Sequence, residues 1–144
     1  MRNPQKSKGI LVVLLLVCLA QAAWILMSSP PSPTLSRVVS TYPVGRDGML
    51  YKVVSDTGGA TEPFSYRYYI FQRIDDSKVA LKKLRDEGSA FLVTRDGDAK
   101  VDIRGAVVKI SVSKAVYSFH SSTLFRHEGS YTPVTIQLEA LTSE

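Results

Sequence analysis

Three features of the chain predict an α+β fold: an N-terminal transmembrane helix followed by a small, mainly antiparallel β domain with one helix. The first is an uncharged apolar stretch over residues 9–27. The second is a series of short segments after residue 44 in which apolar and polar residues alternate, a pattern typical of half-buried strands. The third is a single amphipathic segment, residues 75–87, whose apolar residues have helical spacing.

The apolar stretch predicts a signal-anchor helix. Its 19 residues would reach roughly 28 Å, close to the hydrocarbon thickness of a bilayer. Basic residues in the leader, residues 1–8, favour a cytoplasmic N-terminus and a periplasmic C-terminal domain. The sequence therefore predicts a single-pass protein of the bacterial inner membrane. The side chains expected to anchor it in lipid are Leu11, Leu14, Leu15 and Trp24.

Two other interpretations of this segment stay open. Ala20-Gln21-Ala22 matches the small-x-small pattern of a signal peptidase site, so cleavage after Ala22 would release the domain. Cys18 could carry a lipid, but the β-branched Val17 precedes it where such sites need a small residue. The apolar run continues to Met27, and this favours a retained anchor.

Composition limits the classes of partner. The chain has 18 Lys plus Arg and 13 Asp plus Glu. Three of the basic residues lie in the leader, so the remainder carries 15 − 13 = +2. Such a weak charge predicts no nucleic-acid partner. Because the only cysteine lies in the apolar stretch, the rest of the chain can form no disulfide.

A proline- and serine-rich segment, residues 28–43, predicts an extended stalk before the domain at residues 44–144. The domain is expected to open with a strand after the Asp47-Gly48 turn. The strongest strand pattern follows at residues 64–73. Asp75 or Asp76 can cap the helix at residues 75–87, and Gly88 can end it.

An antiparallel meander is expected in the C-terminal half. Asp96-Gly97 is a hairpin signal between two of its strands. Residues 121–132 read as a polar loop, long enough to carry a function. The predicted strands cover residues 90–94, 99–103, 107–112, 115–120 and 134–140.

One face of the strongest strand is a candidate interaction surface. Alternation places Arg67, Tyr69, Phe71 and Arg73 together on that face. Arginine among aromatic rings can recognise a partner through cation–π contacts. A packed strand with an outward arginine is the competing interpretation.

Motifs that would indicate an enzyme are missing from the sequence. His120 and His127 would need a third ligand from elsewhere to hold zinc. Asp96, Asp98 and Asp102 lack the remaining ligands of a calcium loop, and turn chemistry explains them better. The G-x-S-x-G elbow of serine hydrolases does not occur. The sequence predicts a protein that is not an enzyme, with no catalytic, cofactor-binding or metal residues and no cofactor.

The segment from Gly58 to Phe71, GGATEPFSYRYYIF, resembles one found in small envelope proteins of Gram-negative bacteria that have no assigned function. FLVT at residues 91–94 and PVTIQLEA at residues 133–140 fit the same resemblance. It implies an inner-membrane or periplasmic setting and transfers no catalytic residues.

These observations favour a tethered, non-enzymatic protein that binds a protein partner in the periplasm or membrane. An immunity or exclusion role and an accessory role in an envelope complex both fit. The alternative is a released module that binds a small ligand or a cell-wall fragment in a groove beside the sheet. A hydrolase or metalloenzyme is the third class, and no convergent acid, base or nucleophile supports it.

Overall fold

The computed structural model describes residues 4–27, 34–56 and 64–141 of the chain. The chain divides into two compact units, Met1–Ser32 and Pro33–Glu144. Within the described ranges there are two helices and nine strands: α1 Pro4–Met27, β1 Leu35–Val44, β2 Gly48–Ser55, β3 Ser65–Gln72, α2 Ser77–Asp86, β4 Ala90–Thr94, β5 Lys100–Arg104, β6 Val107–Val112, β7 Val116–Phe119, β8 Ser122–His127 and β9 Ser130–Ala140.

Helix α1 contains the segment predicted to be a membrane anchor. Leu11, Leu14, Leu15 and Trp24 all lie on it and are exposed. Within the residues described, however, no helix is long and apolar enough to cross a membrane. The apolar run is uninterrupted for 12 residues before a glutamine, about 18 Å of helix against a bilayer core about 30 Å thick. The predicted transmembrane signal-anchor and the single-pass inner-membrane location with a periplasmic domain are therefore wrong. A contact between residues 9–27 and lipid stays a prediction.

The second unit is mainly β, and its strands form two sheets. Sheet 1 has the order β1-β2-β3-β4-β7, and sheet 2 has the order β5-β6-β9-β8. The predicted α+β class with a single antiparallel meander is therefore wrong. Strands with one apolar face need a second layer to cover that face, and here another sheet supplies it. Within sheet 2, β6 and β9 pair in parallel.

Strand β3 is central in sheet 1, as its aromatic residues on both faces predicted. It pairs antiparallel with β2 on one side and with β4 on the other. One face of the sheet packs against sheet 2. That main core is formed by Val44, Leu50, Tyr68, Ile70, Phe91, Leu92, Ala99, Val108, Ile110, Val112, Phe125, Val134 and Ile136.

Helix α2 covers the opposite face of sheet 1. Its N-cap is Asp76, whose carboxylate accepts hydrogen bonds from the Lys78 and Val79 N–H groups at 2.7 and 3.1 Å. The buried Ala80 and Leu84 face the sheet, so the helix forms a third layer. This smaller core is formed by Leu35, Tyr51, Val53, Tyr69, Ala80 and Leu84.

Two segments expected to be irregular are strands. Strand β1 occupies most of the predicted stalk and pairs antiparallel with β2; residues 28–33 lie outside the described ranges. The predicted loop at 121–132 is instead β8, a turn at Glu128-Gly129 and the start of β9. Both turn residues have positive φ, 47° and 84°, as a two-residue hairpin requires.

Cleavage after Ala22 stays a prediction, which the intact mass of the mature protein would test.

The main core should dominate the stability of the second unit. Ile110 on β6 is fully buried between the sheets. We expect Ile110→Ala to lower the free energy of unfolding by about 2–5 kcal/mol, because it leaves a cavity that the packed layers fill only in part. Urea denaturation of the full chain, followed by circular dichroism, would measure the change.

Val107 on the same strand gives the matched control, because its side chain is 37% exposed. Val107→Ala should cost less than about 1 kcal/mol. Equal losses for the two variants would contradict the two-sheet packing.

Candidate interaction surface

A groove of about 480 Å³ lies between the end of β3, the C-terminal end of α2 and strand β8. Ile70 and Phe71 contribute apolar surface from β3. Lys83 and Glu87 bring opposite charges from the helix side. The walls therefore combine apolar and charged groups, without a net charge that would select a strongly charged ligand.

Two large apolar side chains at the rim of this groove are exposed. Leu124 on β8 is 61% exposed, and Tyr131 on β9 is 66% exposed. Arg126 lies opposite Tyr131 across the strand pair, with its guanidinium carbon 5.9 Å from the centre of the tyrosine ring. This cation–π contact fixes the arginine against the tyrosine. Arginine and tyrosine are both common among the residues that contribute most to binding at protein interfaces. We call Leu124, Arg126 and Tyr131 the rim patch.

The hairpin that carries the rim patch is anchored to the body of the domain. Phe125 points to the opposite side of β8 and is 4% exposed in the main core. A Cβ on Gly48 would come within 2.9 Å of the Phe125 ring, so this close approach requires glycine at position 48. The rim patch is therefore presented from a rigid base.

The interaction face predicted from the sequence is mostly covered by the second core. Tyr69 is 2% exposed and packs in the core formed with α2. Phe71 packs against the same core and also lines the groove. Arg73 is exposed and its Nε lies 3.2 Å from an Asp75 carboxylate oxygen, while Arg67 is half-buried. Of the four residues, only Phe71 reaches the groove.

The rim patch was missed because its residues fall in the segment interpreted as a loop. One signal could have found it: Glu128-Gly129 separates two stretches of similar length, each containing residues with strand preference. That turn brings Arg126 and Tyr131 into register. Tyr69, by contrast, is buried because α2 packs on this face of sheet 1. Local sequence patterns do not encode this contact between distant segments.

A second unusual place is a buried polar cluster around Lys52, on the main-core side of β2. Lys52 is 6% exposed. Its ammonium donates to the Gly97 carbonyl and lies 5.1 Å from the ring centre of Tyr66 and 5.9 Å from that of Tyr68. Burial lowers the pKa of Lys52, and the nearby carboxylates of Asp96 and Asp98 partly oppose that shift.

Asp96 ties together the two turns that border this cluster. Its carboxylate accepts hydrogen bonds from the Ser113 N–H at 2.6 Å, the Ser113 hydroxyl at 2.9 Å and the Asp98 N–H at 2.9 Å. The bond from Asp98 is a side-chain-to-backbone contact typical of a turn. The predicted hairpin at this turn is wrong, because β4 lies in sheet 1 and β5 lies in sheet 2. Burial alone would raise the pKa of Asp96, but the hydrogen bonds outweigh burial and the pKa is lowered. We assign the cluster a structural role, since its two charged groups, the Lys52 ammonium and the Asp96 carboxylate, both have hydrogen-bond partners within the protein.

Across the described ranges, no group of three or more His, Cys, Asp or Glu side chains is placed to hold a metal ion. His127 lies at the end of β8, with Nε2 4.0 Å from an Asp47 carboxylate oxygen. The groove and its rim patch are therefore the strongest candidate site in this part of the chain.

Asp96 should make stability depend on pH. Asp96→Asn is expected to lower the free energy of unfolding by about 1–3 kcal/mol at pH 7, because a charged acceptor of three hydrogen bonds is lost. Since the folded pKa lies below its ordinary value of 3.8, the carboxylate's contribution is complete above about pH 5. It is lost as the pH falls through the folded pKa. Denaturation at several pH values should show the difference between wild type and variant narrowing below about pH 4.

Asp98→Asn is the control, because the Asp98 side chain is 91% exposed in the same turn. It should change stability by less than about 0.5 kcal/mol. A constant difference between wild type and Asp96→Asn down to pH 2 would contradict the assigned role of Asp96.

Comparisons with known proteins add no relative. No family model, no curated protein and no solved structure matches the chain. The resemblance to small envelope proteins stays a prediction, and residues 58–63 of its segment lie outside the described ranges.

Proposed function

We propose that this protein is not an enzyme and that it binds another protein through the groove and the rim patch. The observation that carries the proposal is the exposure of Leu124 and Tyr131 beside a groove, with Arg126 held on the tyrosine ring. Tyrosine and arginine are enriched among residues that dominate binding energy.

The physical basis of the proposal is desolvation. Leu124 and Tyr131 leave apolar surface in water on a hairpin whose opposite side is firmly packed. Covering that surface would contribute about 25 cal/mol per Å² of apolar area. Because the hairpin is anchored through Phe125, little ordering would oppose binding.

The biological role within this class depends on the partner. An immunity or exclusion protein needs a surface that covers a toxin or a competing protein. An accessory subunit needs one that contacts its complex. Both use a preformed patch of the kind found here, so the identity of the captured partner would separate them.

A small ligand is the second candidate for the groove. Its volume of about 480 Å³ falls in the range of about 300–1,000 Å³ typical of small-molecule sites. Lys83 and Glu87 could orient polar groups of such a ligand. Leu124 and Tyr131 line the groove but still expose 61% and 66% of their surface to solvent. A protein partner can cover apolar surface beyond the groove itself, and for this reason we favour it.

Site-specific photo-crosslinking would test the proposal. A benzophenone amino acid in place of Tyr131, in the full chain within its native cells, should give one main crosslinked protein. The same probe in place of Tyr117 on β7 is the control, because Tyr117 is also exposed, at 55%. Equal crosslinking at both positions, or none at Tyr131, would contradict the proposal.

Substitution at the rim patch should weaken the captured complex. We expect Leu124→Ala and Tyr131→Ala each to raise the dissociation constant by about tenfold or more, because each removes apolar contact at the centre of the interface. Tyr117→Ala should leave it within about twofold. Calorimetry with the purified partner would measure all three.

A further inference from the structure

Four strands form the edges of the two sheets in the described part of the chain: β1 and β7 in sheet 1, β5 and β8 in sheet 2. An open edge presents unpaired N–H and C=O groups, and proteins usually protect it with bulges, charges or short length. Strand β1 has two register shifts in its pairing with β2. Strand β7 has four residues and a register shift against β4.

The two edge strands of sheet 2, β5 and β8, differ in how well their open edges are protected. Every second residue of β5 carries an exposed charge, namely Lys100, Asp102 and Arg104. Strand β8 pairs with β9 over six residues without a register shift. Its exposed positions include the apolar Leu124. Strand β8 is therefore the least protected edge among the described strands.

The pairing of β8 with β9 determines which of its backbone groups are free. In an antiparallel pair, hydrogen-bonded and non-hydrogen-bonded residue pairs alternate. The Ile136 N–H donates to the Ser121 carbonyl at 2.8 Å, and Leu124 lies opposite Pro133, which has no N–H. Both facts place the hydrogen bonds to β9 at Thr123, Phe125 and His127. The N–H and C=O groups of Ser122, Leu124 and Arg126 therefore point to the open edge.

The groove runs along this open edge. Four consecutive residues of β8, Thr123 to Arg126, line it, although their side chains alternate between the two faces of the sheet. A surface that touches all four must follow the backbone edge. The opposite wall, formed by residues 70–72 and 87–89, belongs to other elements, so the edge opens into a groove.

We propose that the partner inserts an extended peptide segment into this groove and pairs with β8 as an additional strand of sheet 2. The proposal rests on the proposed function and specifies its mode of recognition. The free N–H and C=O groups of Leu124 and Arg126 supply main-chain hydrogen bonds at alternate residues, which only an extended backbone can match along the strand.

The side chains of β8 define the peptide further. Leu124 and Arg126 share the outer face of sheet 2, so alternate residues of the added strand would lie beside them. Cross-strand pairing favours an apolar residue next to Leu124 and an acidic residue two positions away, next to Arg126. The expected ligand is an extended segment with an apolar residue and an acidic residue at i and i+2.

Peptides selected from a phage-displayed library of linear dodecapeptides, using the full chain as bait, provide the probe. Amide hydrogen exchange would then be followed by NMR with and without a selected peptide. The amides of Leu124 and Arg126 should exchange at least about tenfold more slowly when the peptide is bound. Those of Thr123, Phe125 and His127 are internal controls and should change little, because they already bond to β9.

A pair of variants separates backbone from side-chain recognition. Leu124→Pro removes an N–H that β9 does not use, whereas Leu124→Ala shortens the side chain and keeps that N–H. We expect the selected peptide to bind Leu124→Pro about tenfold more weakly than Leu124→Ala. Circular dichroism would check that both variants fold. If Leu124→Pro does not fold, the amide exchange of the wild type with bound peptide tests the strand pairing on its own.

Other outcomes would overturn the strand pairing. If the library yields no binder, or if the two amides stay unprotected by a bound peptide, β8 does not accept an added strand. The proposed function would still stand if the probe at Tyr131 captures a partner, and it fails if that probe captures none. Protection of the same amides without peptide, rising with protein concentration, would identify the occupant as a second copy of the chain.

Discussion

Burial of sheet 1 on both faces is the constraint on which the rest of the domain depends. Strand β2 is buried at seven of its eight positions, with Met49 the exception, because sheet 2 covers one face and α2 the other. Neither face could remain in water, since the two cores contain most of the large apolar side chains of the domain. The order of layers, helix on sheet on sheet, follows from this requirement. In this arrangement both faces of sheet 1 and the inner face of sheet 2 are covered, so the outer face of sheet 2 is exposed to solvent.

The same constraint explains the polar cluster. Position 52 lies on the main-core side of a strand with no solvent-facing side, so its lysine must find partners inside. The Gly97 carbonyl and two tyrosine rings provide them, and Asp96 holds the turn that presents this carbonyl. Among the described residues, the Tyr68 hydroxyl is left without a hydrogen-bond partner. Replacing the cluster with apolar residues could preserve packing but would release the two turns from each other.

Local patterns predicted those elements whose own residues encode them. The alternation in β3 was sufficient to predict a central strand, and the cap at Asp76 together with helical spacing was sufficient to predict α2. Strand β1 was mistaken for a stalk because prolines precede it, and its strand character depends on pairing with β2. Strand β8 was mistaken for a loop because four of its six residues are polar: Ser122, Thr123, Arg126 and His127. The candidate site could not be predicted from the sequence, because it requires α2, β3 and the hairpin to meet, and the spacing of residues within one segment carries no information about such a meeting.

The parallel pairing of β6 with β9 has a consequence for synthesis of the protein. Strand β9 lies between β6 and β8, yet it is made after both. Until residues 130–140 have left the ribosome, sheet 2 lacks an interior strand and the apolar residues of β6 have no complete cover. Sheet 1, by contrast, can begin to assemble from hairpins of neighbouring strands. The nascent chain therefore passes through a stage in which half of its sandwich is open, when premature association with other chains is most dangerous.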